Sequence, residues 1–127
     1  MELVTIVICL ALIEYIIFGM LVAKARAQYN VPAPAMTGHE IFERYYRVHQ
    51  NTLESLIYFI PSIIAFATYV HAEVAAGLGV VFIIGRVVYL KGYVKDPKSR
   101  ELGFTLSILP CAVLILGGAI GAGWALL

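Results

Sequence analysis

Two sets of residues in this chain have the types and the spacing to do chemistry. Glu40, Glu43, Arg47, Asn51, Glu54 and Tyr58 recur every three or four positions. At about 100° per residue they fall within an arc of about 80° on one helix face. Arg86, Tyr89 and Tyr93 are spaced i, i+3, i+7 and share a face of their own. Guanidinium forks suit carboxylates, and a carboxylate such as Glu54 suits an ammonium group. The ligand that complements such a set is small, polar and zwitterionic, with more acid than amine. Glutathione, with two carboxylates and one amine, fits that description, and so do other amino-acid-like ligands.

The elements that carry these stripes are unusual hosts for charge. Of the 127 residues, 61% are hydrophobic and only 13% charged, against about 25% charged in an average soluble domain. Residues 55–72 and 102–127 contain no charge, 3–23 are apolar except for Glu14, and 74–90 are apolar except for Arg86. A helix needs about 20 residues to cross the hydrocarbon of a bilayer. Four transmembrane helices are expected near 2–27, 41–70, 73–95 and 101–125. Strands cannot satisfy their backbone alone in lipid, so the fold class is an all-α integral membrane bundle, with residues 1–127 as one four-helix domain. The net charge of +1, with no basic stretch interleaved with aromatics, excludes nucleic acid as a partner. The first helix lacks a positively charged leader and carries Glu14, so it is expected to stay as a membrane span rather than act as a cleaved signal.

Charge also orients the chain. All nine Lys and Arg residues belong to the ends near the first and third connections, and both termini and the 71–73 turn have none. Cytoplasmic loops carry the excess of Lys and Arg, so these two connections are expected in the cytoplasm and the termini on the opposite side. Facing lipid, Arg47, Glu54 and Arg86 would together cost roughly 7–10 kcal/mol near the bilayer centre. They are expected to face one another or a wet cavity instead. Pro61 and Pro110 are expected to kink their helices. Gly117 and Gly121 have the small-xxx-small spacing of close helix packing. Cys9 and Cys111 read as packed free thiols.

At this point a family resemblance emerges. ERYYRVHQNTLE (43–54) resembles the E-R-x-x-R-x-x-x-N-x-x-E signature of the MAPEG family, the microsomal glutathione transferase and eicosanoid-enzyme group. GRVVYLKGYVKDPKSRELGF (85–104) is similar to that family's R-x-x-Y-x-x-x-Y segment followed by Arg, and SILPCA (107–112) is like its prostaglandin E synthase branch. The resemblance implies a homotrimer with glutathione as co-substrate, bound between neighbouring subunits on the cytoplasmic side. It implies that Arg47, Asn51 and Glu54 hold the peptide from the second helix and that Arg86, Tyr89 and Tyr93 complete the pocket from the third. Arg26 would meet a glutathione carboxylate, and Arg100 would be the catalytic residue that stabilises the thiolate. Ser55, Ala27 and Glu101 depart from the eicosanoid branches, which favours a broad transferase or peroxidase. Its second substrate would be a hydrophobic electrophile or a lipid hydroperoxide, reaching the site from membrane lipid through grooves between helices one and four.

Two rival readings belong beside it. A small proton-coupled multidrug carrier would use Glu14, whose other reading is a hydrogen-bonded internal carboxyl. A non-catalytic lipid-binding member of the same family would bind no glutathione. His49 lies about 160° from the Arg47–Glu54 stripe and is not expected to act as a base.

Overall fold

The computed structural model describes residues 1–127. It has four long helices: α1 (Glu2–Gln28), α2 (Glu40–Tyr69), α3 (Ala72–Lys95) and α4 (Glu101–Ala125). A single 3-10 turn, Pro97–Arg100, leads into α4. All four are long and apolar enough to cross a membrane, and the chain is a multi-pass integral membrane protein. Each expected span agrees with its helix to within a residue at either end.

The helices alternate in direction. Gly19 near the end of α1 lies against His49 near the start of α2, and Gly79 early in α3 lies against Val7 and Ile63. α2 and α3 form the central pair, with α1 and α4 each packed on both. α1 and α4 share no substantial interface. The main apolar cluster joins Val4, Val7 and Ala11 to Phe59, Phe82 and Leu114. The Phe59 and Phe82 rings stack at 4.1 Å. Lipid tails are as apolar as these side chains, so close packing rather than escape from water holds such helices together. The outward residues are correspondingly apolar: Leu3, Ile6, Ile13 and Met20 on α1, and Leu102, Leu109 and Leu116 on α4, are all exposed.

Local chemistry sets the ends. His39 and His71 cap α2 and α3, each Nδ1 accepting from a first-turn backbone N–H (Ile41 at 3.1 Å, Val74 at 3.2 Å). These bonds satisfy donors that a helix start otherwise leaves free. Asp96 does the same for the 3-10 turn through Lys98 N–H. α2 and α4 run unbroken through Pro61 and Pro110. Gly117 and Gly121 pack against Phe66 and Tyr69 of α2 within the same chain.

Close approach is concentrated where α3 meets α4. A Cβ on Gly103 would collide with the backbone of Tyr89, and one on Gly92 would come within 2.5 Å of the Ser99 carbonyl oxygen. These two glycines let the 97–100 turn fold down onto the end of α3, which fixes where Arg100 emerges.

Candidate functional site

The charged stripe of α2 divides into two faces. Thr52 and Ser55 turn inward and are buried, while Arg47 and Glu54 stay exposed on the outside, with Asn51 half-buried between them. Facing the inner side, Arg86 of α3 is 1% exposed. One terminal nitrogen, Nη2, donates to Asn51 Oδ1 at 2.8 Å and to Thr52 Oγ1 at 3.1 Å, and Nη1 donates to Ser55 Oγ at 3.4 Å. Its guanidinium lies 4.3 Å from the centroid of the Tyr89 ring, within cation–π range. Arg86 therefore bolts α3 to α2 and is committed to protein partners.

Arg47 and Glu54 are not committed in that way. They face each other at 3.9 Å, the outer limit of an ion pair, with side chains 56% and 53% exposed. Tyr93 packs against Tyr89 with ring centroids 5.6 Å apart. Arg100 is exposed and makes one long contact, 3.5 Å to the Pro97 carbonyl. The turn that carries it folds back on α3, with the Ser99 carbonyl against Gly92. The geometry thus gathers Asn51, Glu54, Arg86 and Tyr89 at one level of the α2–α3 pair, with Arg47 and Tyr93 nearer its end and Arg100 on the turn beyond. A polar cleft of about 370 Å³ opens there, lined by Glu40, Glu43, Arg44, Arg47, Tyr93 and Pro97.

Arg26 lies apart from this group. Its Nη1 donates to the carbonyls of Ala35 at 2.7 Å and Val31 at 3.3 Å, and its guanidinium lies over Phe42 at 4.7 Å. Within one protomer it ties the 29–39 loop to the end of α1.

Sequence reasoning missed three contributors. Thr52 and Ser55 complete the Arg86 cradle; the signal was a hydroxyl pair at i, i+3 beside Asn51. Arg44 donates to the carbonyls of Val94 at 2.9 Å and Lys95 at 3.3 Å and pairs with Glu40. It closes the end of α3 over the cleft, as a cation at a helix C-terminus does. Within one chain α1 and α4 share no substantial interface, so the expected groove between helices one and four is not formed inside a single copy. An apolar groove of about 490 Å³ does lie between α2 and α4, lined by Ile57, Tyr58, Pro61, Ala65, Ile115 and Gly118 among others.

The family model described as MAPEG matches residues 4–120. An uncharacterized protein of Synechocystis sp. is 41% identical over 92% of this chain and 85% of its own. Microsomal glutathione S-transferase 2 of Homo sapiens is 41% identical over 82% of this chain and 71% of its own. Leukotriene C4 synthase of Bos taurus is 29% identical over 82% and 69%. The match spans all four helices and both polar stripes, and the chain belongs to the MAPEG family.

Proposed function

We propose that this protein is a membrane-bound glutathione transferase that binds glutathione on its cytoplasmic side and activates it as the thiolate. The observation that carries the reading is the open Arg47–Glu54 pair. Glu54 sits at the midpoint of α2, where an exposed charge facing lipid is costly. Its partner is at the limit of contact, so both groups keep capacity for a ligand bearing an ammonium and carboxylates. A relative whose name states a glutathione S-transferase supports the same ligand.

In this reading Arg47, Asn51, Glu54 and Tyr93 hold the peptide, with Arg86 and Tyr89 behind them. A neighbouring subunit covers the outer face of α2, which favours a homotrimer, and Arg26 of that neighbour reaches a glutathione carboxylate. Arg100, free of strong protein contacts, stabilises the sulfur anion. The thiolate then attacks a hydrophobic electrophile, or reduces a lipid hydroperoxide, delivered along the α2–α4 groove. The carrier reading would need Glu14 open to solvent, and Glu14 is closed off inside the bundle at 7% exposure.

The test is calorimetric titration of glutathione into the purified protein in mild detergent, followed by a conjugation assay with 1-chloro-2,4-dinitrobenzene. Binding with conjugation is expected, and absence of binding overturns the reading. Native mass spectrometry should show three copies, and a monomer alone would remove the proposed intersubunit pocket.

A further inference from the structure

Glu14 has no role in the site described so far, yet its surroundings are specific. On α1 it falls between Ala11, which belongs to the main apolar cluster, and Phe18, which packs in a second cluster with Val48 and Tyr89. The other helices place polar groups at the same level. On α2, between Val48 and Leu56, stand Thr52 and Ser55. On α3, between Phe82 and Tyr89, stands Arg86, and on α4, one turn before Cys111, stands Ser107. The result is a single polar layer between two apolar ones, to which every helix contributes.

The hydroxyls of that layer are accounted for, with Ser107 donating to the Gly103 carbonyl at 2.7 Å. Three atoms are not: both carboxylate oxygens of Glu14 and Nε of Arg86 are buried without a hydrogen-bond partner. Glu14 is the one buried carboxylate of the chain, and Arg86 is its one buried cation. A guanidinium this deeply buried needs an opposing charge. Arg86 also reaches the outer face of α2 directly, through its 2.8 Å bond to Asn51.

We propose that Glu14 is a positioning residue for the glutathione site: it supplies the counter-charge that holds Arg86 in the polar layer, and Arg86 in turn orients the Asn51 amide and the Tyr89 ring toward the ligand. The role rests on the transferase reading, while the pairing of Glu14 with Arg86 does not.

Two measurements test the proposal separately. The first is a thermal-stability cycle in detergent with Glu14→Gln, Arg86→Met and the double variant. Contacting residues are non-additive, so the double variant should lose clearly less than the sum of the two single midpoint shifts. Additive shifts overturn the pairing, and Arg86→Gln replaces Arg86→Met should the latter fail to fold. The second is glutathione affinity. Glu14→Gln keeps the shape and removes the charge, and should weaken binding roughly three- to tenfold, with a rise in KM that exceeds any fall in kcat. In an Asn51→Ala background the same change should have little further effect. Unaltered affinity in Glu14→Gln, or an undiminished effect without Asn51, overturns the positioning role. Wild-type protein that binds no glutathione overturns the transferase reading and this role together, leaving the pairing to stand or fall on the midpoints.

Discussion

The Arg47 guanidinium and the Glu54 carboxylate face each other at 3.9 Å across two turns of α2, and each side chain keeps more than half its surface open. A pair that loose and exposed contributes about 0–1 kcal/mol to stability. In the transferase reading that leaves both groups free for the ligand, so binding and folding should separate at this position.

Glu54→Gln should therefore lower glutathione affinity by at least about tenfold, the effect of losing one charge-assisted bond of about 1.5–3 kcal/mol. The thermal midpoint should hardly move. Calorimetry beside a thermal melt reads both, and a large midpoint loss with normal affinity would make Glu54 a structural residue.

Arg86→Met should behave in the opposite way. It strands the Asn51, Thr52 and Ser55 acceptors inside the bundle and leaves Glu14 without its counter-charge, a loss of about 3 kcal/mol or more. Arg86→Lys should recover only part of this, because one ammonium lacks the planar fork that spans three partners. Heat-induced aggregation in detergent ranks the three proteins.

Arg100→Ala should leave glutathione affinity within a few-fold and cut turnover sharply. The thiolate is the nucleophile, and a free thiol has a pKa near 8.5. Bringing it to about 6.5 takes about 2.7 kcal/mol of preferential stabilisation, within reach of a guanidinium that stays charged. The ultraviolet absorbance of bound thiolate at neutral pH should disappear in the variant. Lost affinity with that absorbance intact would mean that Arg100 holds a carboxylate instead.

Gly103→Ala should destabilise the bundle by about 1–3 kcal/mol, the usual cost of forcing an extra methyl into packed structure. Gly123→Ala, whose Cβ meets nothing within 4 Å, should be neutral on this count. A melt of both variants decides it.

Much of this was legible in the sequence because lipid makes charge conspicuous. Arg86 and Glu14 stand alone in their apolar runs, and the 3.6-residue repeat puts Arg47, Asn51 and Glu54 on one face. Periodicity could not say which side of that face turns inward. Thr52 and Ser55 are ordinary in composition, and only the packing of α3 against α2 makes them partners of Arg86. Arg26 illustrates a second limit: nothing in its type or place shows that its Nη1 also ties down the carbonyls of Val31 and Ala35 within the chain. Helix-capping histidines escaped notice because a lone His carries no spacing signal.

The contact of Gly103 with the Tyr89 backbone has a mechanical meaning. With no side chain between them, α3 and the first turns of α4 form a rigid lever whose short arm is the 97–100 turn and whose tip is Arg100. The outward residues of the same helix, Leu102, Phe104 and Leu109, all exposed, sit on that lever without bearing on its fulcrum. They can vary in size and shape while the place of Arg100 at the end of that lever stays fixed. In the transferase reading, such a division would let the outward surface of α4 drift over generations without moving the residue proposed to activate the sulfur.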